Sequence, residues 1–128
     1  MCFIFSQMVM LTRIFALYLI RDGELFETKA NRFSIGLSSI KVGQKFTNHT
    51  IKVKKGDVFY LFSDGYADQF GGIHEKKFKT RNVKNLLLSI QHMSMNEQKE
   101  HLNKTIEEWK GEIPQIDDIL FIGMRITS

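Results

Sequence analysis

A single cysteine, Cys2, in 128 residues excludes an internal disulfide and any multi-cysteine metal site, and it points to a reducing compartment, with the cytoplasm as the default. Histidine is sparse too. His49, His74, His92 and His101 show no H-x-x-x-H or other paired spacing, so they read as surface side chains rather than metal ligands. The chain also lacks an unbroken membrane-length apolar run. Residues 1–20 are mostly apolar but are interrupted by Ser6, Gln7, Thr12 and Arg13. A bilayer span needs about 20 apolar residues, and an arginine near its middle costs about 2.5–3.5 kcal/mol. A signal peptide fits no better, because no basic region precedes the apolar part and no small-residue cleavage site follows it. One or two buried strands are the preferred reading of this stretch, and a membrane anchor through residues 1–20 is the weaker alternative.

No composition shift marks a second domain, and 43% apolar with 12% aromatic residues suits one domain with a modest core. Eighteen Lys and Arg against fourteen Asp and Glu leave a formal charge of +4, which would suit an acidic partner. The basic residues are scattered (Lys52, Lys54, Lys55, Lys76, Lys77, Lys79, Arg81) with no aromatic-and-basic platform, so a solvated surface is expected and nucleic acid is not.

The chain is organised around Gly56-Asp57-Val58-Phe59-Tyr60-Leu61-Phe62-Ser63-Asp64-Gly65. Residues 58–62 are uncharged, aromatic and β-branched, and turn residues bound them on both sides, which is the pattern of a central strand. Gly65 allows a sharp turn that leaves Asp64 at the sheet's rim. Upstream, Arg21-Asp22-Gly23-Glu24 between apolar runs is a hairpin signal, with residues 16–20 and 25–28 as its strands. Residues 31–43 have loop composition, and residues 50–54 alternate as a half-exposed strand.

Downstream, Tyr66-Ala67-Asp68-Gln69-Phe70-Gly71-Gly72 reads as a helical turn and then a mobile loop. Val83, Leu86, Leu87 and Ile90 fall on one face of a helix. Ser94-Met95-Asn96-Glu97 matches a capping box at the start of a second helix, whose stripe is Leu102, Ile106 and Trp109 and whose end is marked by Gly111 and Pro114. Asp117-Asp118 then opens a second apolar run from Ile119 to Met124, which reads as a second buried strand. If this run lies antiparallel beside the central strand, about 4.7–4.9 Å away, Asp64 and Asp117 meet at one edge. Carboxylates gathered there imply a raised pKa or a bound cation, and oxygen-only ligands suit magnesium, manganese or calcium. Equally, Asp64 is a plain turn residue and Asp117 a loop-end acid.

The 56–65 segment, the two helices and Gln115-Ile116-Asp117-Asp118-Ile119-Leu120 together resemble the C-terminal part of a SpoIIE-type (PPM-family, type 2C-like) protein serine/threonine phosphatase domain. The likeness extends upstream through Ala16-Leu17-Tyr18-Leu19-Ile20-Arg21-Asp22-Gly23-Glu24-Leu25, so it covers roughly residues 16–126. It implies an α/β fold, a PPM-type antiparallel β-sandwich flanked by helices. It also implies two Mn2+ or Mg2+ ions that activate a water against a phosphoserine or phosphothreonine protein, such as an anti-sigma-factor antagonist, in bacterial partner-switching signalling. Matched residue by residue, Asp64 and Asp117 are metal ligands, and Gly65 and Asp118 are supporting groups.

One departure stands against this. The family's first acidic motif, an Asp followed by Thr-Gly-His-Gly or similar, has no counterpart upstream of Asp64, where the only Asp-Gly is the Asp22-Gly23 hairpin. Residues 1–15 fit the family poorly. The expectation is therefore a domain that lacks its N-terminal half, with residues 1–15 atypical and residues 16–128 forming the C-terminal part. It is either an enzyme with an incomplete site or a catalytically silent fragment or interaction module. Exposed apolar surface on such a chain favours self-association.

Overall fold

The computed structural model describes residues 2–5, 14–29 and 49–128. The loop expected at residues 31–43 and most of residues 1–13 lie outside them. Four strands form the main antiparallel sheet: β2 (Ile14–Arg21), β3 (Glu24–Lys29), β5 (Val58–Ser63) and β8 (Phe121–Arg125), in the order β3-β2-β5-β8. A separate antiparallel pair joins β1 (Cys2–Phe5) to β4 (His49–Lys52). Helices α2 (Thr80–Ser89) and α3 (Met95–Lys110) follow the one-turn helix α1 (Gly65–Asp68). Between α1 and α2 stands a miniature hairpin of β6 (Phe70–Gly71) and β7 (Lys76–Lys77).

The unbroken apolar runs at residues 16–20 and 58–62 follow from burial on both faces of the sheet. Ala16, Tyr18, Ile20, Val58, Tyr60 and Phe62 pack with Val83, Leu87, Leu102 and Ile106 of the helices. The alternate residues Leu17, Leu19 and Phe59 face the other way, against Ile51, Val53, Leu61 and Ile126. The segment before Arg21 is thus a core strand, and among the described residues no helix is long and apolar enough to cross a membrane. Asp22 and Gly23 take φ of 50° and 79°, the two positive values that a type I′ turn between β2 and β3 requires.

Both long helices form as their patterns dictate. Val83 and Leu87 are buried on α2, with Ile90 buried just past its end. At α3 the capping box closes: Glu97 N donates to Ser94 Oγ at 3.3 Å and Ser94 N donates to Glu97 Oε2 at 2.7 Å. Gly111 ends the helix at φ 54°, its N–H bonded to Glu107 O at 3.0 Å.

Two local expectations change. The stretch after α1 is an ordered hairpin rather than a mobile loop, because its glycines press on α3. A Cβ on Gly71 would stand 1.9 Å from Trp109 O, and Gly72 N donates to that same carbonyl at 2.9 Å. The last strand starts at Phe121 rather than Ile119, because a side chain interrupts the ladder before it, as described next, and it is not buried, because it lies at the sheet's edge with Ile122 and Met124 exposed.

Candidate active-site rim

Strand β5 pairs with β8 antiparallel, and Phe62 stands opposite Phe121. The chain leaving β5 through Asp64 therefore lies level with the chain approaching β8 through Asp117 and Asp118. Ser63 locks the two together. Its N–H donates to Leu120 O at 3.0 Å, its hydroxyl donates to Asp118 O at 3.0 Å, and the same oxygen accepts from Leu120 N at 3.0 Å. A hydroxyl thus replaces one rung of the ladder, and regular pairing starts only at Phe121.

Gly65 completes the close approach. A Cβ at this position would lie 2.3 Å from Asp118 O, a contact that a backbone carbonyl cannot relieve cheaply, so the position requires glycine. Beneath the rim is a continuous aromatic stack. Phe62 and Phe121 lie face to face at 5.0 Å and 9°, Tyr66 meets Phe121 edge-on at 5.4 Å, and Phe78 links Tyr66 to Trp109 at 5.5 and 5.4 Å. Tyr66 also donates to Leu102 O at 2.7 Å, and burial pushes its phenol pKa up. The rim therefore rests on packed core.

On that rim Asp64 is half-buried, and Asp117 and Asp118 are exposed. Asp64 occupies the N-cap of α1 without a side-chain capping bond, and Asp68, one turn on, pairs with Lys77 at 3.1 Å. Asp117 turns a carboxylate oxygen to its neighbour's amide, Asp118 N, at 2.8 Å. The structure thus brings together the chain segments carrying all four expected residues, Asp64, Gly65, Asp117 and Asp118. Gly65 and Asp118 meet through backbone, which their side-chain chemistry does not announce. Ser63 was not singled out in the sequence, although its place between strand and acid was the available signal.

Carboxylate oxygens are the donors that magnesium and manganese take. Among the described residues, however, no three Asp, Glu, His or Cys side chains converge to hold a metal ion. The described residues alone do not make a closed metal site.

The family described as Stage II sporulation protein E (SpoIIE) matches residues 15–127, and the chain belongs to that family. Among solved structures it is similar to the SiaA-PP2C domain of Pseudomonas aeruginosa, with 35% identity, a TM-score of 0.74, and coverage of 87% of this chain and 42% of that one. It is also similar in fold to the phosphatase domain of the cell fate determinant SpoIIE from Bacillus subtilis. The manganese-presoaked structure of that domain gives 13% identity, a TM-score of 0.57, and coverage of 98% of this chain and 56% of that one. The crystal form without domain swapping gives 18%, 0.57, 98% and 50%. No curated protein matches the chain. The chain thus spans 42–56% of the length of these solved relatives, and its fold is the expected mixed α/β around an antiparallel sheet.

Proposed function

We propose that this chain is part of a metal-dependent protein serine/threonine phosphatase domain, with Asp64 and Asp117 as its ligands to Mn2+ or Mg2+ and with Gly65 and Asp118 O shaping the backbone between them. The observation that carries this is the β5–β8 pairing in a member of the SpoIIE family: it sets the Asp64–Gly65 turn against the Asp117–Asp118 segment. The ion would be held by these carboxylates together with groups outside the described residues. The substrate class is a phosphoserine or phosphothreonine protein, and an anti-sigma-factor antagonist in cytoplasmic partner switching is the reading that family membership supports.

Hydrolysis of a phosphoserine peptide, followed with and without manganese, tests this. We expect a manganese-dependent rate that disappears in Asp64→Asn, and an undiminished rate in that variant rejects the assignment. One observation favours a second reading, a catalytically silent module: the described residues do not assemble three ligands. Under that reading the wild-type chain shows neither hydrolysis nor a calorimetric signal with manganese. The exposed Ile122 and Met124 on the edge strand β8 support self-association of the isolated chain, which size-exclusion chromatography reads directly.

A further inference from the structure

The hairpin between α1 and α2 is rooted in the core and yet presents groups that the core does not use. Its root is tied on every side. Gly72 N donates to Trp109 O at 2.9 Å, Phe78 N to Gln69 O at 2.9 Å, Lys79 N to Ala67 O at 2.7 Å, and Trp109 Nε1 to Gln69 O at 3.1 Å. Its tip carries Ile73, 97% exposed. A lone exposed isoleucine is ordinary on a protein surface. This one is followed in the chain by the exposed cations Lys76, Lys79 and Arg81, with Glu75 as the acid among them, while Lys77 pairs with Asp68.

Lys79 is the most telling of these. Its backbone lies at φ 73° and ψ 145°, a conformation that suits glycine and strains a residue with a Cβ. A lysine there adds a cation where the backbone favours glycine. The hairpin also adjoins the acid rim. It leaves α1 two residues after Asp68, and Lys77 Nζ reaches back to Asp68 Oδ1 at 3.1 Å, one helical turn from Asp64. An aspartate rim repels an acidic phosphoprotein, and a rigid cationic edge beside it offsets that repulsion and steers the approach.

We propose that Ile73, Lys76, Lys79 and Arg81 form a docking surface for an acidic segment flanking the phosphorylated residue of a protein substrate. The proposal rests on the phosphatase reading for its choice of partner, and on the hairpin alone for its surface. The probe is a fluorescent phosphoserine peptide flanked by Asp and Glu, with its binding to the full chain read by anisotropy at low and high salt. The wild-type chain is expected to bind it more tightly than a phosphoserine peptide with neutral flanks, and to lose that preference at high salt. Lys76→Glu with Lys79→Glu should weaken binding about tenfold or more, and Ile73→Asp should weaken it further.

Lys79→Gly guards against misfolding as the explanation, because it should weaken binding while raising the melting temperature. Hydrolysis of p-nitrophenyl phosphate, where the chain supports it, should be unchanged by all these variants and lost in Asp64→Asn, whose peptide binding should persist. A chain that binds the acidic peptide but hydrolyses nothing with manganese overturns the phosphatase reading and leaves the docking surface standing. Equal binding of neutral and acidic peptides, unaltered binding in the charge-reversed variant, or equally tight binding of a single-stranded DNA oligomer overturns the docking surface.

Discussion

Strand β5 carries an aspartate at each end, roughly 20 Å apart, and the two ends put the same side chain to opposite uses. At the start, Asp57 is 1% exposed and its carboxylate is enclosed by donors. Arg21 reaches it with Nε at 2.8 Å and Nη2 at 2.6 Å, and Lys54 N adds a third bond at 2.8 Å. The Arg21 guanidinium and the Lys54 amide hold the carboxyl below the usual aspartate range, against the opposing effect of burial. Gly56 N donates to Ile126 O and Ile126 N to Asp57 O, both at 2.8 Å, which ties this end to the residue after β8. At the far end, Asp64 stands half-buried on a rim shared with Asp117 and Asp118. One end commits its carboxylate to a buried ion pair, and the other stands half-buried where two chain segments carrying further aspartates run side by side.

The largest effect should come from breaking the structural end. Asp57→Ala removes the acceptor of Arg21 Nε and of the Lys54 amide, leaving the guanidinium, among the described residues, only its bond to Lys52 O, and should lower stability by about 3 kcal/mol, read as a lower urea midpoint at unchanged slope. Next is Gly65→Ala, whose Cβ must displace the Asp118 carbonyl. It should cost about 1–3 kcal/mol and pull the two rim segments apart, visible as shifted amide resonances at residues 117–120.

The acid limb of stability sharpens the comparison. Because the folded pKa of Asp57 is depressed, its contribution is complete above the unfolded aspartate value of about 3.9 and is lost as pH falls from there through the folded pKa. Denaturant titrations across that window should show the loss in wild type and a flatter profile in Asp57→Asn. Lys79→Gly should then raise stability by about 0.5–1 kcal/mol by relieving its left-handed backbone, read as a higher melting temperature. Asp64→Asn should change stability least, because Asn keeps the shape and an acceptor oxygen at this half-buried position, while removing manganese-dependent hydrolysis. A large destabilisation in that variant would mean that the two ends of β5 are not different in kind.

Much of this arrangement was legible from residue patterns. Uncharged runs at residues 16–20 and 58–62 announce strands buried on both faces, Asp22-Gly23 announces its turn, and Ser94 with Glu97 announces the start of α3, because each signal is local chemistry. The rim was legible only conditionally, through the supposition that the last strand lies beside β5. The Arg21–Asp57 pair was missed, although antiparallel pairing of β2 and β5 sets the end of one beside the start of the other. Residues 66–72 read as a helical turn and a mobile loop, whereas residues 70–77 form a hairpin whose order comes from Trp109, some forty residues away. Buried Gln98 was hidden within the helical stripe. It accepts from Tyr60 at 2.6 Å and donates to Ile90 O and Met93 O, partners that no periodicity reveals.

The sequence by itself determined the central strands and the two long helices, their turns and caps, and the family whose motif ends at Asp64 and Asp117, because propensity, periodicity and capping act over a few residues. The tertiary structure alone decided which chain segments meet and which buried acid is paired. Strand register sets Phe62 against Phe121, a missing Cβ at Gly65 admits the Asp118 carbonyl, and Arg21 closes on Asp57. Those outcomes depend on distances between residues remote in the chain, and only packing sets such distances.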